Sequence, residues 1–129
     1  MVLIDTSIWI DFFQRPVSPQ ADRLEDLIRE HNRAVLCGII LQEVLQGIRD
    51  NKSHAATKGR LMKLPYLDMN KEVYLAAASL YRSLRAKGIT VPSADTSIAA
   101  LAILNRIPLY SKDGHFNIIA KYTRLELYS

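Results

Sequence analysis

Val2-Leu3-Ile4-Asp5-Thr6-Ser7-Ile8, near the start of the chain, sets the reading of everything that follows. Three successive apolar residues stop at an aspartate followed by two hydroxyl residues. This pattern reads as a short buried strand feeding a helix, and it leaves Asp5 at the strand's carboxyl end. The same alternation continues along the chain. Ser18-Pro19 offers a capping hydroxyl and a proline at the first helical position, so a helix follows with Leu24, Leu27 and Ile28 on one face, ending near His31-Asn32. Ala34 to Cys37 is a second apolar strand, closed by Gly38.

Further on, Ile40, Leu41, Val44, Leu45 and Ile48 recur at helical spacing, which predicts a helix from Ile39 to Arg49. A polar helix is expected over His54–Lys63, then a weak strand at Tyr66-Leu67-Asp68. Val73, Ala76, Ala77, Leu80, Tyr81 and Leu84 make one stripe on a helix from Lys71 to Lys87, with Gly88 as its stop. The alanine-rich segment Ser93–Asn105 is apolar on most sides and predicts a buried helix. Leu109-Tyr110 reads as a strand, Phe116 to Lys121 as a short helix, and Leu125 to Tyr128 as a final strand. Strands alternating with helices, without hairpin signals, imply an α/β fold with a parallel sheet covered on both faces.

The chain has 129 residues, of which 49% are apolar and 23% charged, as expected for one domain, 1–129, with a core of its own. The single cysteine, Cys37, lies in an apolar run and reads as a buried, inert thiol. The N-terminus is apolar but lacks a basic segment and is interrupted by Asp5 and Asp11, which argues against a signal peptide. No apolar run approaches the ~20 residues of a membrane span. A soluble, cytoplasmic protein is expected. The net charge of +4 hints at a polyanionic partner.

In open parallel sheets, ligands sit beyond the carboxyl ends of the strands, where strand order reverses. Asp5 falls directly after the first strand and Asp113 just past Leu109-Tyr110. Asp95 stands at the start of the buried helix. Glu43 shares a helix face with Ile39, Ile40 and Gly47, where a carboxylate is costly unless it is paired or binds metal. Asp5-Thr6-Ser7-Ile8 also recurs as Asp95-Thr96-Ser97-Ile98. Capping accounts for Asp5 or Asp95 singly, and a turn accounts for Asp113 before Gly114. Neither explains why four acids fall near one sheet edge. Two carboxylates about 4 Å apart repel by ~4 kcal/mol at an effective dielectric near 20, equal to roughly three pKa units. A cation removes that conflict, and an all-oxygen ligand set favours Mg²⁺ or Mn²⁺ over zinc.

Four segments now align with one known family. Leu3-Ile4-Asp5-Thr6-Ser7, the Glu43 helix with Gly47, Gly88-Ile89-Thr90-Val91-Pro92-Ser93-Ala94-Asp95, and Leu109-Tyr110-Ser111-Lys112-Asp113-Gly114-His115-Phe116 resemble, in order and across nearly the whole chain, a PIN-domain ribonuclease of the VapC toxin type. The resemblance implies a Rossmann-like, five-stranded parallel sheet with the first and fourth strands adjacent. It also implies Mg²⁺- or Mn²⁺-dependent RNA cleavage, a homodimer and a cognate antitoxin. Carried over residue by residue, Asp5, Glu43, Asp95 and Asp113 are the metal-binding catalytic acids, and Thr6 and Ser111 are supporting hydroxyls.

Arg82 and Arg85, off the apolar stripe of the long helix, fit either an RNA or antitoxin contact or a solvated face. His115 reads as a surface or capping residue, and Trp9 with one of Phe12 and Phe13 as core. The rival function is a non-catalytic RNA- or protein-binding module on the same sheet. A response-regulator reading is poor, because it wants paired acids after the first strand and Asp5 is followed by Thr6-Ser7. A haloacid-dehalogenase reading fails because Ser7 stands where the second aspartate belongs.

Overall fold

The computed structural model describes every residue except Arg15, Pro16 and His31. The elements are β1 (Val2–Ile4), α1 (Thr6–Gln14), α2 (Pro19–Arg29), β2 (Ala34–Cys37), α3 (Gly38–Gln46), α4 (Asn51–Leu61), β3 (Tyr66–Leu67), α5 (Lys71–Ala86), α6 (Ser93–Asn105), β4 (Leu109–Tyr110) and α7 (Gly114–Tyr122). Side-chain caps fix several helix starts. The Ser18 hydroxyl accepts the Ala21 N–H, the Asp50 carboxylate the Ser53 N–H, and the Asn70 amide oxygen the Val73 N–H. The Asp50 cap starts α4 three residues ahead of the expected His54. At its other end α3 stops at Gln46, with Gly47 as C-cap, rather than running to Arg49. The expected end of the second helix near His31 lies partly outside the described residues, and α2 itself closes at Arg29.

The strands lie in the order β3-β2-β1-β4 and all pair in parallel. Val2 is opposite Ala34 and Leu3 opposite Val35, while Leu3 and Ile4 on the other side face Leu109 and Tyr110. The sheet thus has four strands among the described residues, not the five the resemblance implied. The segment expected as the last strand meets β4 through one bridge, Leu109 to Leu127. Two bonds close it, Leu109 N–H to the Glu126 carbonyl at 2.9 Å and Tyr128 N–H to the Leu109 carbonyl at 2.8 Å. Because β4 is only two residues long, it has no further backbone groups with which to extend that ladder.

β1 and β2 are buried along their whole length. Parallel crossovers are right-handed. The chain leaves β1 toward β2 and β3 through α1–α4, then returns across the sheet through α5 and α6 to reach β4. The two sets of helices therefore cover opposite faces, and the reversal falls between β1 and β4, which is the switch point. The core includes Trp9, Leu24, Ile40, Leu61, Leu84 and Phe116. α6 is enclosed from Thr96 through Ala102, as its alanine-rich composition required. No helix is long and apolar enough to cross a membrane.

Candidate active site

β1 ends at Ile4, so the next residue emerges at the switch point, and Asp5 lies there with 5% of its surface exposed. Its Oδ2 accepts three hydrogen bonds: the Ser7 hydroxyl at 2.8 Å, the Ser7 N–H at 3.3 Å and the Ser111 hydroxyl at 2.8 Å. Each hydroxyl in turn accepts a backbone N–H from the loop after β4, Ser7 from Lys112 at 3.0 Å and Ser111 from Asp113 at 2.9 Å. The two serines thus tie the end of β1 to the end of β4. Among the described residues every donor to Asp5 takes Oδ2, which keeps the lone pairs of Oδ1 for an ion.

The other acids are arranged around this centre. Glu43, half-buried on α3, accepts the Thr6 hydroxyl on Oε1 at 2.8 Å. Asp113 caps α7, its Oδ1 accepting the His115 N–H at 2.9 Å. Asp95 lies in the first turn of α6 with 14% of its side chain exposed. His115 Nδ1 stands 3.0 Å from Asp95 Oδ2 and 3.2 Å from Asp113 Oδ1. Ligand atoms of Asp95, Asp113 and His115 lie within 4.8 Å of one another. The tight group is therefore two acids and a histidine. Asp5 adjoins it through Ser111, and Glu43 is linked to the next residue along, Thr6, on the β1 side.

Burial, then the Asp113 charge, push the Asp95 carboxyl up to about 6, with Asp5 adding to the rise and the His115 hydrogen bond opposing it. Among the described residues no lysine or arginine forms an ion pair with any of the four acids; Lys112, next to Asp113 in the chain, is drawn instead to buried Asp11 at 3.1 Å. Crowded carboxylates without cationic side chains are the donor set of a divalent metal, so the residues present fit one. Cys37 lies behind the site. Burial first, then the charges of Glu43 and Asp5, push its thiol up to about 11, which makes it the inert group its sequence setting implied.

Two participants carried no clear signal in the sequence. Ser7 holds Asp5 as firmly as Ser111 does, and the repeated Asp-Thr-Ser was its only trace. The repeat also misleads. The Thr96 and Ser97 hydroxyls turn back to the Ser93 carbonyl within α6, whereas Thr6 and Ser7 reach carboxylates. His115, expected at the surface or as a cap, bridges Asp95 and Asp113. Arg82 and Arg85 are exposed. Arg82 lines a cleft of about 340 Å³ with Tyr74, Tyr81, Ser93 and Ser97, beside the turn that bears Asp95, while the Arg85 guanidinium lies over Tyr81, 5.9 Å from the ring centroid. Trp9 is core at 1% exposure, with Phe12 and Phe13 partly buried beside it under the Arg60 guanidinium.

The chain's likeness to known proteins agrees with this geometry. The model of the PIN domain matches residues 2–122. Ribonuclease VapC11 of Mycobacterium tuberculosis is 36% identical over 129 residues, covering 98% of this chain and 96% of that protein. Ribonuclease VapC1 of Methanocaldococcus jannaschii is 29% identical over 124 residues, covering 94% of this chain and 82% of its own length. Among solved structures, a chain of DNA-bound VapBC from Salmonella typhimurium superposes with a TM-score of 0.83 at 18% identity, covering 98% of this chain and 96% of that one, a likeness of fold.

Proposed function

Since this chain belongs to the PIN-domain family, and within it to the VapC group, we propose that it is a metal-dependent endoribonuclease, the toxin of a VapBC-type toxin–antitoxin pair. The carrying observation is the set of acids at the β1/β4 switch point that, among the described residues, no lysine or arginine pairs with. In this reading residues 1–129 form one catalytic domain, and Asp5, Glu43, Asp95 and Asp113 hold Mg²⁺ or Mn²⁺. When bound, the ion supplies Lewis-acid activation of water and neutralises charge developing at the phosphorus.

The chain's own groups do the positioning. Ser7 and Ser111 fix Asp5 through Oδ2, and Thr6 fixes Glu43 through Oε1, so neither carboxylate has to be ordered when substrate arrives. Arg82, beside the Asp95 turn, is placed to take an RNA phosphate, with Arg85 next along the same face. The protein works in the cytoplasm as a homodimer and is silenced by a cognate antitoxin that blocks the acidic edge.

The test is cleavage of RNA by the purified full chain. Cleavage stops on adding EDTA and returns with excess Mn²⁺ or Mg²⁺, and Asp5→Asn abolishes it with an unchanged circular dichroism spectrum. Undiminished cutting in EDTA or by Asp5→Asn rejects the reading. Binding of RNA without cutting, under every metal condition, assigns the chain to the non-catalytic alternative.

A further inference from the structure

His115 is the residue the four-acid reading does not use. It is the second residue of α7, and its side chain is 44% exposed, so no packing requirement holds it against the acids. Nevertheless Nδ1 lies 3.0 Å from an oxygen of Asp95 and 3.2 Å from an oxygen of Asp113. Ligand atoms at right angles around an ion with bonds near 2.1 Å stand about 3.0 Å apart. The imidazole nitrogen therefore already holds the spacing of a ligand that shares an ion with both carboxylates, and ligand atoms of all three residues gather within 4.8 Å of one another. Asp113 is held from the same turn. Its Oδ1 accepts the His115 N–H, so the chain that positions the carboxylate also positions the ring.

We infer that His115 is a metal ligand through Nδ1, making the Asp95–Asp113 position a mixed oxygen–nitrogen site that discriminates in favour of Mn²⁺ over Mg²⁺. This rests on the proposed metal-dependent function and sharpens it. The ring offers its Nδ1 lone pair in the tautomer whose proton sits on Nε2. Imidazole suits the later divalent metals, whereas Mg²⁺ demands oxygen ligands and keeps its waters. The discrimination thus comes from one side chain, on top of carboxylates that bind either ion.

The experiment is Mn²⁺ and Mg²⁺ titration of the full chain, with pulsed electron paramagnetic resonance on the Mn²⁺ form. Wild type shows coupling between Mn²⁺ and a nitrogen nucleus, and the coupling disappears in His115→Ala. In the same variant Mn²⁺ affinity falls at least about tenfold, as loss of a metal-orienting group commonly does, while Mg²⁺ affinity moves by less than about threefold. An unchanged urea midpoint in EDTA shows that the variant still folds. If Mn²⁺ binds, and Asp95→Asn weakens it, but no nitrogen coupling is seen or the coupling survives in His115→Ala, this inference falls while the nuclease reading stands. If neither ion binds at millimolar concentration, both fall.

Discussion

Asp95 shows how a single residue bears the strain of the site. Its carboxyl titrates near 6, raised from an ordinary 3.8 by burial and by Asp113. In the unfolded chain it ionises near 3.8. Between these values the folded protein holds a proton that the unfolded one has released, so stability drains away as pH rises from about 4 to about 6 and stays reduced above that. Asp95→Asn removes the window. In EDTA the variant should therefore unfold at higher urea than wild type at pH 8, with the advantage gone at pH 4, and it should cut no RNA. Equal midpoints for the two proteins at both pH values would show that Asp95 carries no such strain. Ser111 acts in the opposite sense, by holding rather than straining. Ser111→Ala removes one of the hydroxyls that fix Asp5 and frees the Asp113 N–H it had accepted. Metal affinity or turnover should drop roughly 10–100-fold, short of the full loss in Asp5→Asn, and isothermal titration beside the cleavage assay separates the two quantities. The acids were legible in the sequence because a carboxylate at a strand's end or on an apolar helix face has few inexpensive explanations. His115 and Ser7 were not, because a histidine after a capping aspartate and a serine early in a helix occur wherever helices start. Their distant partners come from tertiary structure: the approach of β4 to β1 brings Ser111, 104 residues on, to Ser7, and α6 brings Asp95 to His115.

At the scale of elements, some boundaries that local chemistry dictates were readable, although the Asp50 cap of α4 and the Gly47 end of α3 were missed, and a boundary set by a distant partner was not. The α5 stripe and its stop are the clear case. Gly88 has φ +78, the left-handed region that a side chain resists, and nothing lies within 4 Å of where its Cβ would be. Gly59 also has open space around it but sits within α4, where glycine lowers helix stability. The same substitution should consequently have opposite signs. Gly88→Ala should cost about 1 kcal/mol, through backbone strain alone, whereas Gly59→Ala should gain about 0.5–1 kcal/mol. Urea midpoints of the two variants against wild type read this directly, and a loss of equal size at both positions would refute the conformational argument. The fold class and the burial of α6 likewise followed from pattern, since Ala99, Ala100 and Ala102 leave no polar face for solvent. The last strand did not. Leu125–Tyr128 has strand composition, yet a strand exists only as far as its neighbour has backbone groups to offer, and β4 offers two residues. Composition cannot register the length of a partner that is distant in the chain.

For the whole molecule, the question is how a protein with an acidic centre receives a polyanion. The net charge is +4, so the long-range field attracts RNA, but the switch point repels phosphate locally until cation is bound. Metal removal should consequently weaken RNA binding as well as stop cleavage, a coupling absent from a nuclease whose metal only activates water. Lys112, beside Asp113, is engaged by Asp11, whereas Arg82 lines a cleft that adjoins the Asp95 turn through Ser93 and Ser97. Its role can be separated from that of a solvated helix face by salt. Binding of a single-stranded RNA releases counterions, and the slope of log K against log salt is about −0.7 for each phosphate neutralised. Measured on an Asp5→Asn background, so that RNA is bound but not cut, Arg82→Ala should make the slope shallower by about 0.7 and weaken binding at low salt. A slope unchanged by the substitution assigns Arg82 to the solvated face and leaves the attraction to the net field alone.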